Sequence, residues 1–196
     1  RDMRIQPIVI GLLAAAGTMT LWAGKAPQES GAPPIDEVKA VAKGYAGQLK
    51  AMLQQQMQAG GPVDALAVCS DEAARIGSDA ARASGWSIRR VTDRTRNPLD
   101  MPDAYEHQVL QDFSKRLGDG EKEVARYEVV EEGGVRYARF MKAIPVEGLC
   151  LSCHGSATEV APDVAARIQT LYPHDRAMDY KLGDLRGALS IKVRLD

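Results

Sequence analysis

Cys150 and Cys153 stand three positions apart in Cys150-Leu151-Ser152-Cys153-His154, and an imidazole follows the second thiol directly. That spacing lets two thiols reach the two vinyl groups of one porphyrin while the next side chain turns a ring nitrogen onto the iron, so the pentapeptide predicts one haem c held covalently through two thioethers. Two other chemistries share the Cys-x-x-Cys spacing. A zinc site needs a further pair of thiols or histidines at ligand spacing, and none stands nearby in the sequence. A redox dithiol of the thioredoxin type follows a strand and opens a helix, whereas Pro145, Gly148, Gly155 and Ser156 surround this motif with turn-forming residues. Haem attachment is the favoured reading.

An iron bound by His154 has an opposite face to fill. The chain holds three cysteines and three histidines, so the choice is short. With Cys150 and Cys153 committed to thioethers, Cys69 has no partner for an intramolecular disulfide; by residue type alone it reads as a small buried hydrophobe on an alanine-rich segment. His107 lies opposite the Tyr105, Val109 and Phe113 stripe and is expected to face solvent. His174, in a loop after Pro173, is the rival ligand, and Met141 and Met178 are the candidate thioethers. Haem carboxylates need cationic partners, which Arg89, Arg90, Arg94, Arg96 and Arg186 can supply, Arg96 foremost; Tyr172, beside Pro173, is expected to pack near the porphyrin.

These residues need a compartment and a scaffold. Met3 and Arg4 precede an uncharged, apolar run at 8–23, which reads as a secretory signal; an uncleaved membrane anchor is the competing reading, because 5–23 approaches the roughly 20 residues that span a bilayer. Residues 1–26 are therefore assigned to a signal peptide or anchor, 27–34 to a proline-rich linker and 35–196 to the haem domain. Both readings export the domain, so a periplasmic location is expected, with membrane contact only through an uncleaved N-terminal segment. A net charge of -1 gives no reason to invoke nucleic acid.

Periodicity then orders the elements. Val38, Val41, Ala42, Tyr45, Leu49, Met52 and Leu53 recur at helical spacing until Gly60 and Gly61, where Pro62 restarts a shorter helical stripe that includes Cys69. Strand patterning begins at Trp86 and runs to Val91, and Asn97-Pro98 and Met101-Pro102 are turns. A helix follows over 103–117, then two alternating runs at 125–131 and 135–144 joined through Glu132-Gly133-Gly134, a hairpin signal. A helix opening on Pro162 and a closing strand at 187–195 complete the chain. Helices first and antiparallel strands later make an α+β plan. It differs from the small class I cytochromes c, whose motif stands early, and from the four-helix cytochromes c′, whose motif lies on a final helix.

Flanking blocks add a resemblance. Ala67-Val68-Cys69, Arg96-Asn97-Pro98 with Pro102-Asp103 and Glu106, Cys150-Leu151-Ser152-Cys153-His154-Gly155, Tyr172-Pro173-His174-Asp175-Arg176-Ala177, and Gly183-Asp184-Leu185-Arg186-Gly187-Ala188 resemble, in order, the Tll0287-like haem domain family. The chain departs from it at 91–95, where Val91-Thr92-Asp93-Arg94-Thr95 replaces the Arg-Thr-Ser common in relatives. The resemblance implies a PAS-like antiparallel sheet with flanking helices around one covalently attached haem c, and a cysteine as second axial ligand, which falls on Cys69. Function then divides among a redox or gas sensor taking a small gas ligand, a stand-alone electron carrier with a redox partner protein, and an enzyme. The last is disfavoured, because no His/Arg pair is identifiable as a distal acid or base on the Cys69 side.

Overall fold

The computed structural model describes residues 31–68 and 72–195. The segment 1–26, the first half of the linker, and Cys69 lie outside the described residues. Among the described ones, no helix is long and apolar enough to cross a membrane.

Helix α1 (Ile35–Ala67) opens with Asp36 and Glu37 in its first turn, where acidic groups complement the exposed N–H ends. It is two helical segments across a kink. Gly61 takes φ 73° and ψ -166°, which glycine adopts without Cβ strain, and Pro62, lacking an N–H, begins the second segment. This is the break expected from Gly60-Gly61-Pro62. Helix α2 (Ala73–Ser84) ends on the left-handed Gly85, and β1 (Ser87–Val91) follows. A single 3-10 turn, Pro98–Asp100, precedes α3 (Ala104–Gly118). The hairpin is β2 (Ala125–Glu132) and β3 (Val135–Pro145). Two helices, α4 (Gly148–His154) and α5 (Pro162–Leu171), lead to β4 (Leu185–Arg194).

The four strands form one antiparallel sheet in the order β1-β4-β3-β2. The last strand in sequence is therefore interior, with Ile191 opposite Ile88 on one side and Phe140 on the other. Strand alternation sorts the two faces. Ile88, Phe140, Leu189 and Ile191 pack under Val38, Ala42, Tyr45 and Ile76 of α1 and α2, while Val91, Met141, Ala143 and Ala188 pack under Val109, Leu110 and Phe113 of α3. The architecture is α+β, an antiparallel sheet with flanking helices, as the element order predicts. Met141 lies in the α3 layer, fully buried.

The α3 face also carries a buried charge network. Asp103 caps the helix by accepting from the Glu106 N–H at 2.8 Å, and Glu106 returns the bond to the Asp103 N–H at 2.8 Å. The Glu106 carboxylate, 2% exposed, accepts from the Ser190 hydroxyl at 2.7 Å and from Arg89, and lies 3.4 Å from Arg139. Arg139 is wholly buried and also pairs with Asp103 at 2.8 Å and with Glu132. Burial alone would raise the Asp103 carboxyl, but the Glu106 N–H and the Arg139 guanidinium outweigh it and hold the group below the usual carboxylate range. A depressed carboxylate contributes stability above its unfolded pKa, about 3.9, and loses it as pH falls through the folded value. Asp103→Asn is thus expected to be less stable than wild type at pH 6, with the gap closing below about pH 4; urea midpoints across that range test it, and a gap that stays constant sinks it.

Candidate functional site

Three side chains of the pentapeptide share one face because α4 is helical: positions 150, 153 and 154 are i, i+3 and i+4. Local composition alone does not make this helix. It has seven residues, and tertiary contacts hold both ends. At its start, the Glu147 N–H donates to the Cys150 sulfur at 3.4 Å, the Glu147 carboxylate pairs with Lys50 of α1 at 2.9 Å, and Val146 is buried. At its end, a returning loop runs alongside. The Tyr180 N–H donates to the His154 carbonyl and the Asp179 N–H to the Gly155 carbonyl, each at 2.9 Å.

Arg96 fastens that loop to the helix. Its Nη2 donates to the Cys153 carbonyl at 2.7 Å, to Asp175 at 2.9 Å and to the Ala177 carbonyl at 3.4 Å, and it lies 3.4 Å from the Met178 sulfur. The Arg96–Asp175 pair is buried, its side chains 4% and 8% exposed. Arg96 Nε is buried and has no hydrogen-bond partner among the described residues.

His154 is held as a neutral imidazole. Its Nδ1 lies 2.7 Å from the Ala177 carbonyl, which can only accept, so Nδ1 carries the proton and Nε2 keeps its lone pair. The Arg186 Nε–H donates to that lone pair at 3.3 Å. Burial, followed by the nearby charges of Arg186 and Arg96, pushes the imidazole down to about 2, against a smaller opposing effect of the Ala177 bond. The Tyr180 ring stands edge-on to His154 with centroids 6.1 Å apart.

Apolar groups surround the two thiols, both half-buried. Cys153 and Met178 pack on Leu66 of α1 and on Val160, Val164 and Ile168 around α5; Cys150 and Leu151 pack on Val146, Ala177 and Tyr180. Among the described residues, no group of three or more His, Cys, Asp or Glu side chains converges as a metal cluster. Contrary to the turn-rich setting expected from Pro145, Gly148, Gly155 and Ser156, the two thiols follow strand β3 and lie on a helix.

The residues fit the group that the motif predicts. Two thiols and a neutral imidazole with its lone pair outward share one helix face, apolar side chains border them, and the buried Arg96 Nε–H and the Arg186 guanidinium offer donors suited to carboxylates.

The other candidates fall in different places. Cys69 lies outside the described residues; before it, Leu66 and Val68 are buried, and Leu66 belongs to the cluster holding Cys153. His174 is exposed in the turn after α5. His107 is likewise exposed and lies 2.7 Å from Asp93. Tyr172 forms the C-cap of α5, donating its N–H to the Ile168 carbonyl at 2.7 Å and accepting from the Asp175 N–H at 3.0 Å, which starts the loop along α4. Arg89 turns to the opposite face of the sheet, onto Glu106 and the carbonyls of Leu99 and Met101. Arg90 approaches Asp100 at 3.6 Å. Arg94 lies 4.1 Å above the Tyr180 ring and donates to the Met178 carbonyl. The Thr92 hydroxyl, in the segment that departs from the family pattern, donates to the Arg186 carbonyl at 2.9 Å. Asp175, Ala177 and Tyr180 were not singled out by residue type; the signal available was their place in or just beyond the 172–177 block. A surface cleft of about 360 Å³ is lined by Asp93, Asp103, His107 and Arg176, among others, and includes no residue of α4.

Comparison with known proteins identifies the family. No curated protein matches the chain. The crystal structure of the cyanobacterial heme-protein Tll0287 aligns with a TM-score of 0.64 at 28% sequence identity, covering 84% of this chain and 98% of that one. The family model described as Tll0287-like matches residues 28–194. With both the sequence model and the sheet-and-helix plan in agreement over nearly its whole length, the chain belongs to the Tll0287-like family.

Proposed function

We propose that this protein is an exported haem c protein whose haem is attached through Cys150 and Cys153 and ligated by His154 and Cys69. One observation carries the reading: the α4 face presents both thiols beside an imidazole whose Nδ1–H is committed to the Ala177 carbonyl, leaving Nε2 as an electron-pair donor. The similarity to a solved heme-protein supports it. Bound there, haem would supply a one-electron Fe(III)/Fe(II) couple, lowered in potential by a thiolate ligand, and a coordination position for a small gas if that thiolate is released on reduction.

The chain's own groups do the positioning. Ala177 orients the imidazole, Arg96 holds Ala177 and the end of α4 together, and Leu66 and Ile168 keep water from one side of the thiol face. Redox or gas sensing in the periplasm is the function we assign. Electron transfer to a partner protein is the second reading, favoured by the half-exposed thiols, since a haem edge near the surface shortens the path to a docked partner.

A haem-stained denaturing gel decides attachment. Wild type is expected to stain, and Cys150→Ala/Cys153→Ala to lose all covalent stain; equal staining of both rejects the assignment. EPR of the oxidised protein tests the sixth ligand, because Cys69→Ala should lose the low-spin thiolate signal. Adding CO or NO to the reduced protein separates the two functions. Rapid binding with loss of the sixth ligand supports sensing, and no binding with fast exchange toward a partner cytochrome supports transfer.

A further inference from the structure

Around His154, one guanidinium is turned toward the imidazole and shares its anion with another arginine. Arg96 is matched by Asp175 at 2.9 Å, and Arg90 has Asp100 at 3.6 Å. Arg94 spends its donors on the carbonyls of Arg176 and Met178. Arg186 is half-buried, feels only the more distant charge of Asp100, which already pairs with Arg90, and aims its Nε–H at the His154 Nε2, 3.3 Å away. A cation removed from water with only a shared anion costs free energy that an incoming carboxylate recovers.

Its backbone anchor is fixed. The Thr92 hydroxyl holds the Arg186 carbonyl, and at the next residue the chain passes so close to β1 that a Cβ on Gly187 would lie 2.4 Å from the Val91 carbonyl oxygen. Only the side chain beyond that fixed point can swing. The lone pair on Nε2 is single, so a metal ion that takes it displaces the Arg186 N–H, and the freed guanidinium remains tethered beside the imidazole and the Tyr180 ring, 5.6 Å away. Haem carries two carboxylates on one edge, and a guanidinium fork matches a carboxylate in both charge and shape.

We infer that Arg186 is the charge partner of a haem carboxylate, exchanging its contact with His154 Nε2 for that anion when the cofactor is seated. This rests on the haem reading above. Arg186 is a positioning residue: it fixes the carboxylate edge of the ring, and so the rotation of the ring against the α4 face.

Resonance Raman of the holoprotein reads this contact through the carboxylate-bending band of the haem side chains, which moves with hydrogen bonding to that group. Wild type should show the hydrogen-bonded position with no movement between about pH 5 and pH 8, because an arginine stays charged and keeps its partner ionised across that range. Arg186→Gln should shift the band to the weakly bonded position and lower the midpoint potential, since a positive charge near the iron is lost; Arg186→Lys should restore much of the potential. An unchanged band and potential in loaded Arg186→Gln overturns the inference. If that variant does not accumulate, wild type and Arg186→Lys carry the test. A wild-type band that moves with pH between about 5 and 8, as a free carboxylate's would, overturns it equally. A wild-type protein with no covalent haem stain defeats the haem reading instead, so the two failures are told apart.

Discussion

Replacing Arg96 with alanine is expected to cost about 3–5 kcal/mol, because it leaves Asp175 as a buried carboxylate with no cation. Surface ion pairs rarely exceed about 1 kcal/mol, so burial decides the size of this effect. The Arg96–Asp175 side chains are 4% and 8% exposed, and the same guanidinium nitrogen serves the Cys153 and Ala177 carbonyls. At about 2–4 °C per kcal/mol for a chain of this length, the melting temperature should fall by roughly 6–20 °C. The loss should also be local in character. With the loop freed, the Ala177 carbonyl no longer fixes the His154 tautomer, so haem content per polypeptide should fall more than secondary structure does. Asp175→Asn, which removes the charge but keeps an acceptor, should cost less. Thermal melts by circular dichroism together with haem absorbance per chain check this. If Arg96→Ala melts with wild type and keeps its haem, the fastening role is wrong.

Replacing Glu106 with alanine should be as damaging, about 3–5 kcal/mol, but blind to the haem face. Glu106 is the hub of the α3-side network. It accepts from Ser190, Arg89 and the Asp103 N–H and lies 3.4 Å from the wholly buried Arg139. Its removal strands that arginine with less compensation, opens the capping box, and leaves the Ser190 hydroxyl without its acceptor. Ser190→Ala alone should cost only about 1.5 kcal/mol, the low end for one neutral donor to a charged acceptor. Urea titrations with unchanged slope and a shifted midpoint would show a pure stability effect. A Glu106→Ala midpoint within error of wild type would mean that Asp103 and Glu132 satisfy Arg139 by themselves.

How much of this was legible depended on the range of the interaction. The α3 stripe of Tyr105, Val109, Phe113 and Leu117, the hairpin across Gly133-Gly134, and the break at Gly61-Pro62 are local signals, and each element formed where its pattern lay. The order β1-β4-β3-β2 was not readable, because antiparallel pairing of 87–91 with 188–192 is set by packing between segments far apart in the chain. Helix α4 was hidden for a related reason: seven residues between turn-formers have little intrinsic helicity, and Lys50, Val146 and the returning loop hold them. Arg139 sits in an alternating strand with nothing in the sequence to mark it as buried. Asp103-Ala104-Tyr105-Glu106 did contain a readable capping signature. At the site, residue types pointed to Cys150, Cys153, His154 and Arg96, but the acceptor that orients His154 is the backbone carbonyl of Ala177, and a main-chain oxygen has no sequence signal.

The interior position of β4 fixes an order of events during biogenesis. Residues 185–194 are made after 148–154, yet among the described residues β1 has no sheet neighbour except β4, and β3 meets β1 only through it. While a chain is being delivered from its N-terminal end, the α4 thiols emerge at a time when the sheet is still two unjoined pieces. On the haem c reading proposed above, an enzyme that adds a porphyrin at that time would meet an open substrate, and the arrival of the last strand, carrying Arg186 near its start, would shut the domain around the product.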